Sequence, residues 1–189
     1  MGGTKMKSLE EITKEELIDL ENRCWMTHDG MWFYSCLNRF GIDEANRMNK
    51  SAIKNLAPFE IERTKKAIGY NKQTIETFDD FRAYFSLAKT LFIPPFMKAT
   101  MSFQKQKVLH WEFEPKNCFA YKGMKRLDVI DKYECGVIYR IECWLDCFGI
   151  KYETKPKIDK CLMHTSGRCS GDIELFFELS NPLSPDAKV

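Results

Sequence analysis

Four of the eight cysteines of this 189-residue chain fall between Cys135 and Cys161. Cys143 and Cys147 stand four residues apart in a stretch of helical period, so both thiols share one flank, about 100° or more from the apolar stripe through Ile141 and Phe148. If that flank faces the end of the chain, Cys161, His164 and Cys169 come within reach of it. Thiolates mixed with an imidazole are what Zn²⁺ selects at four-coordinate sites. Cys143, Cys147, Cys161 and Cys169 are therefore the candidate metal ligands, with zinc as the candidate cofactor. The spacings C-x₃-C and C-x₇-C are not those of zinc fingers, and ordinary burial competes, since free cysteine is among the most often buried residue types. A catalytic thiol is the third reading. Contact between two of the four is expected, and a closed tetrahedral site is not.

A second group stands near the start of the chain. His28 projects from the apolar stripe of a long helical stretch, next to Asp29 and Gly30, and Trp32 lies one turn on. A polar ring on an apolar face beside a carboxylate can border a cavity and act as a base or a ligand contact. A hydrogen-bonded core histidine is the competing reading. The side chains of adjacent helical residues diverge by about 100°, so Asp29 need not orient the His28 ring. Arg140 shares a flank with Cys143 and Cys147, and like Arg39, Arg63 and Arg82 it could pair a ligand carboxylate bidentately, unless it simply faces solvent. His28, Asp29, Trp32 and Arg140 are the candidate ligand-binding residues. Neither a Ser-His-Asp set with a nucleophile elbow nor a glycine-rich phosphate loop is visible.

The elements that must position these groups follow from the periodicity. Thr13 and Glu16 have the spacing of a capping box, so a helix is expected to start there. Leu17, Leu20, Cys24, Met31 and Trp32 fall on one stripe of it, Phe33, Leu37 and Phe40 supply a second apolar face, and Gly30 marks a local irregularity before Gly41 ends the element. Asp43 is expected to cap a second helix, with a break near Ala57 because Pro58 suits the first turn of a new segment. Gly69 then closes it. Phe78, Phe81, Phe85, Ala88 and Phe92 mark a third helix, ended by Pro94-Pro95. The period then switches to two. Met97 to Phe103 and Leu109 to Phe113 read as paired strands, Leu127 to Phe148 as a helix stopped by Gly149, and Lys151 to Thr154, Ile158 to His164 and Asp172 to Leu179 as strands. The expected fold is α+β, an N-terminal helical half packed on an antiparallel sheet with one further helix between strands. Residues 1–180 form a single domain in this reading, followed by a loose tail, 181–189.

Composition gives several classes no support. Twenty-nine Lys and Arg against 27 Asp and Glu leave a net charge of +2, too little to argue for nucleic acid or an anionic membrane as partner. No apolar run approaches the ~20 residues of a membrane span, and the polar opening does not have the form of a signal peptide or a myristoylation signal. A cytoplasmic protein is expected, where cysteines are reduced.

The run His28-Asp29-Gly30-Met31-Trp32-Phe33 through Phe40-Gly41, followed by Glu60-x-x-Arg63, resembles an uncharacterised prokaryotic family with an L-D-G-x-W-F helix. Cys161-Leu-Met-His164, Gly167-Arg-Cys169 and the closing Leu175-Phe-Phe-Glu178-Leu resemble the cysteine-bearing finish of 4-vinyl reductase-type domains and of L-2-amino-thiazoline-4-carboxylic acid hydrolase-like proteins. Leu37 stands where the family helix carries a Glu, and Thr165-Ser166-Gly167 replaces a proline-rich turn. The resemblance implies an α+β domain with an internal small-molecule pocket and, in the vinyl reductase-type relatives, a cysteine metal site. Three functions stay open: a small-molecule-binding domain acting as a sensor or accessory protein, a cysteine- or metal-dependent hydrolase of small C–N substrates, and a structural dimerisation module whose aromatics would face a second copy.

Overall fold

The computed structural model describes residues 6–177, apart from 73 and 106. Two 27-residue helices, α1 (Lys14–Phe40) and α2 (Ile42–Ile68), open the chain, each about 40 Å long at 1.5 Å per residue. The expected capping box starts α1: Glu16 N–H donates to Thr13 Oγ1 at 3.1 Å, and Thr13 N–H to Glu16 Oε2 at 2.9 Å. Gly30 does not interrupt it. Gly41, at φ 81°, ends α1 and starts α2 in one residue, a corner that a Cβ would disfavour. The helices fold back on each other as a hairpin, with Cys36 near Ala45 and Asp29 near Asn49.

Three expectations fail in this half. Gly41, not Asp43, is the N-cap of α2, and Asp43 sits in its first turn, where its charge suits the helix dipole. Pro58 lies inside α2 without ending it. The ring faces solvent beside exposed Lys54, whose carbonyl loses its amide partner, while Ala57 and Ile61 hold the other side in the core. In α1 the stripe through Leu20, Met31 and Trp32 is exposed, and Phe33 and Cys36 are buried instead, because the face that meets α2 is the second apolar face.

The third helix, α3 (Phe78–Phe92), buries Phe81, Tyr84, Phe85 and Ala88 and is capped by Thr77, whose Oγ1 accepts from Asp80 N–H at 3.1 Å. Then follow β1 (Ala99–Lys105), β2 (Val108–Phe113), α4 (Phe119–Arg126), α5 (Gly136–Phe148), β3 (Lys151–Lys155), α6 (Leu162–Thr165) and β4 (Cys169–Phe176). The helix expected over 127–148 forms only from Gly136 onward; residues 127–135 are turn and loop, and the short α4 before them had no counterpart in the periodicity. Asp128 adopts φ 56° after α4, and α5 starts only where Tyr133 Oη accepts Gly136 N–H at 3.1 Å. The strand expected at Ile158–His164 is a loop leading into α6, a single turn closed locally: the Cys161 carbonyl accepts the amides of His164 and Thr165.

The four strands form one antiparallel sheet in the order β1-β2-β4-β3. Its inner face carries Met101, Leu109, Trp111, Phe113, Ile173 and Leu175, all buried. Phe177 is half-buried beyond the end of β4, with its ring 6.3 Å from that of Phe78, and Leu179 lies outside the described residues, as does the tail 181–189. Phe81 and Phe85 pack their rings 5.9 Å from Phe103 on β1. This is the α+β architecture read from the periodicity, with the helical half before the sheet. Among the described residues no helix is long and apolar enough to cross a membrane.

Candidate functional site

The charged centre of the molecule lies between α2 and α5. Glu60, 5% exposed, shares its helix face with Ala57, Ile61 and Thr64, and a carboxylate on such a face needs partners. It has three. Arg140 Nε donates to Oε2 at 3.0 Å, Arg140 Nη2 donates to Oε1, and Trp144 Nε1 donates to Oε2 at 2.9 Å. The guanidinium is also ringed by aromatics, 5.4 Å from the Trp25 centroid, 5.5 Å from Phe92 and 5.8 Å from Trp144, distances at which a cation is drawn to a ring face. Burial lowers the Arg140 pKa to about 10, while the field of Asp29 acts to raise it, so the group stays charged at neutral pH. Its Nη1 takes no part in the Glu60 bonds. Asp29 borders the same inner cavity as Arg140. Partial burial of the carboxyl, in a residue that is exposed overall, raises it above the ordinary value, against the pull of Arg140 and His28.

Open space surrounds this centre. A cleft of about 420 Å³ runs between α1 and α2, bordered by His28, Asp29, Trp32, Phe33, Met48 and Asn49. An inner cavity of about 90 Å³ lies under it toward the sheet, bordered by Arg140, Trp144, Phe92, Met101 and Phe113. Trp25, Asp29 and Asn49 are walls of both. A further opening of about 680 Å³ lies on the outer side of Trp25, reaching Cys24, His28 and Arg140. Ligand sites usually enclose ~300–1,000 Å³, and a dry cavity of ~150 Å³ holds one benzene. By that measure the cleft accommodates the body of a small molecule, and the inner cavity a head group of a few atoms.

Of the residues singled out in the sequence, His28, Asp29 and Trp32 border the cleft together, with α2 opposite, while Phe92 of α3 borders the inner cavity and, with His28, the outer opening. Arg140 borders the inner cavity and the outer opening and is already paired with a carboxylate. Arg39, Arg63 and Arg82 are exposed. Sequence reasoning gave no role to Glu60, Asn49 or Trp144. The one legible signal was Glu60 itself, an acid on a helix face otherwise made of Ala57, Ile61 and Thr64.

The cysteine set divides. Cys143 and Cys147 stay together on α5, where Asp146 and Glu142 act on Cys143 and Asp146 on Cys147. Cys161 and Cys169 belong to a different neighbourhood, with Cys118 and Cys135. Among the described residues no three or more His, Cys, Asp or Glu side chains stand at metal-ligand spacing. Burial raises the pKa of Cys118, Cys135, Cys143, Cys147, Cys161 and Cys169 alike, the reverse of what activates a nucleophilic thiol.

No curated protein and no solved structure matches the chain. A family model does match, over residues 7–143, a span that takes in the α1–α2 cleft, the Glu60–Arg140 pair and the sheet strands β1 and β2. The chain thus belongs to a family of unknown function, DUF6125.

Proposed function

We propose that the protein is a small-molecule-binding module whose ligand lies in the α1–α2 cleft with its head group in the inner cavity. The observation that supports this most is that an aromatic-walled cleft shares the walls Trp25, Asp29 and Asn49 with a small cavity at a buried, partnered charge. Few polar groups in an apolar wall are the usual make-up of such a site. Because Glu60 already neutralises Arg140, the site suits a ligand whose head accepts a hydrogen bond from Arg140 Nη1, such as a carbonyl or carboxyl group, on an apolar body. Such a module would serve as a sensor or accessory protein in the cytoplasm. All eight cysteines are free, as a reducing compartment would keep them.

The test uses tryptophan emission, since Trp25, Trp32 and Trp144 border the spaces. Medium-chain fatty acids and aromatic ketones are titrated into the intact chain and into an Ala52→Trp variant, which adds a ring at the cleft from an exposed position. Saturable quenching by the intact chain, weakened at least about tenfold by the added ring, is expected. Equal affinity in both would place binding outside the cleft. The dimerisation reading has one observation in its favour, the exposed Met31, Trp32 and Phe40 along α1, and a concentration-independent monomer in sedimentation would remove it.

A further inference from the structure

The inner cavity holds hydrogen-bonding capacity that the protein does not use. Two of its polar side chains are engaged elsewhere: Trp144 Nε1 donates to Glu60 at 2.9 Å, and Tyr133 Oη accepts Gly136 N–H at 3.1 Å. Two asparagines one turn apart on α2 show the contrast. Asn46, 3% exposed, is paired at both ends of its amide, with Nδ2 donating to the Lys132 carbonyl at 2.9 Å and Oδ1 accepting Glu134 N–H at 3.2 Å. Asn49 is half-buried and borders both the cleft and the inner cavity, and its amide has no hydrogen-bond partner among the described residues. Anchoring the chain at 132–134 accounts for Asn46. No protein group accounts for Asn49, and a part-buried amide left unpaired at both ends is costly.

The start of α5 is shaped around this amide. A Cβ on Gly136 would lie 2.8 Å from Asn49 Nδ2 and 2.9 Å from Ile53 Cδ1, with Tyr133 Oη 3.6 Å away. Gly136 is not in the left-handed region, so it is the space, not the backbone, that calls for glycine. One turn further along α5, Arg140 borders the same cavity, with Nε and Nη2 given to Glu60 and Nη1 left over. Asp29 of α1 is a third polar wall, also without a hydrogen bond among the described residues. Three helices thus bring one guanidinium nitrogen, one carboxamide and one carboxyl group to a single small cavity, beside the rings of Trp25, Phe92 and Trp144.

We propose that the head group this cavity selects is a neutral amide with free N–H, a primary carboxamide above all; the assignment rests on the binding reading given above and narrows it. A primary carboxamide carries two lone pairs on its oxygen and two N–H groups. The unused groups answer them: Arg140 Nη1 and an Asn49 N–H donate to the oxygen, and Asn49 Oδ1 and an Asp29 oxygen accept from the nitrogen. Asn49 and the ligand pair reciprocally, as asparagine does with the adjacent donor and acceptor of adenine, and either orientation of the Asn49 amide presents one of each. Other heads match less of the set. A ketone or ester engages the donors and leaves Asn49 Oδ1 and Asp29 unanswered. A carboxylate does the same and adds a negative charge beside Asp29, where Glu60 has already cancelled Arg140. An ammonium group offers N–H but no acceptor, and meets the guanidinium. Groups built to hydrogen-bond a ligand reject an analogue that leaves them unpaired.

The experiment compares octanamide, octanoate and heptyl methyl ketone, which share one apolar body and differ in the head. Each is titrated by calorimetry at neutral pH into the full chain, into the Ala52→Trp chain as a control for the cleft, and into Asn49→Leu. Octanamide should bind the unaltered chain at least about tenfold more tightly than either of the others, and Asn49→Leu should close the gap between amide and ketone to less than about threefold. Octanoate or the ketone binding as tightly as octanamide, with the sensitivity to Ala52→Trp kept, overturns the amide assignment and leaves the binding module standing. An amide preference that survives in Asn49→Leu overturns the assignment as well. Saturable binding by none of the three overturns the binding reading and the assignment with it. The ranking of the three heads on the unaltered chain decides the matter even where Asn49→Leu does not fold.

Discussion

The Glu60–Arg140 pair permits a quantitative test of what holds the helical half to the rest of the chain. Glu60→Gln keeps an amide oxygen to accept the Trp144 N–H, so the substitution isolates the charge. It leaves a guanidinium whose side chain is 26% exposed. Removing one partner of a buried pair costs ~3–5 kcal/mol. The three aromatic rings and the partial exposure place this variant near the lower end, at roughly 3 kcal/mol. Arg140→Met does the opposite, stranding a carboxylate that is only 4% exposed with the Trp144 N–H as its remaining donor, and should cost about 4–5 kcal/mol. The double variant replaces the pair by a neutral amide and a thioether of similar reach. Its cost should be about 2 kcal/mol or less, far below the sum of the single losses, because neither charge is left alone. Urea unfolding followed by tryptophan emission measures all three. With a slope of ~2 kcal/mol/M, Glu60→Gln shifts the midpoint by about 1.5 M. Single-variant losses under about 1 kcal/mol, or a double variant equal to the sum of the singles, would refute the picture of a desolvated, mutually dependent pair.

Two further predictions follow from the same geometry. Asp29 has its carboxyl raised by burial, so the folded state binds its proton more tightly than the unfolded chain does; this favourable contribution is complete below the ordinary carboxylate range and is lost as pH rises through the folded value. Asp29→Asn should therefore raise stability at pH 7, with a gain that shrinks as pH falls toward 4, and thermal unfolding across that window showing no pH-dependent difference would count against it. Gly171→Ala places a methyl against the Trp111 ring and the backbone carbonyl of Lys155, neither of which can yield easily, and should cost ~3 kcal/mol or more; a midpoint within experimental error of the unaltered chain would show that the β2–β4 packing is looser than described.

Local chemistry accounts for much of the architecture. The Thr13–Glu16 box, the Gly41 corner, the Gly69 and Gly149 stops, the Phe81–Phe85–Ala88 stripe and the alternation of Leu109, Trp111 and Phe113 are short-range patterns, and their satisfaction depends on neighbours one turn or one strand away. Those elements stand where the periodicity puts them, and with them the α+β order. Other features depended on what lay across the fold. Pro58 persists in α2 because its ring points to solvent, and which apolar face of α1 is covered depended on where α2 came to rest. The turn between α4 and α5 rests on a buried tyrosine hydroxyl.

The candidate site shows the same division. His28, Asp29 and Trp32 are legible because they share one helix, and periodicity alone puts them on one side of it. The partners of Arg140 are not, since Glu60 lies 80 residues away and no periodic pattern links two helices so far apart. The cysteines behave likewise. A pair four residues apart on α5 draws attention by spacing, yet the thiols in the neighbourhood of Cys169 come from three separate helix starts, and only the tertiary fold decides which thiols share a neighbourhood.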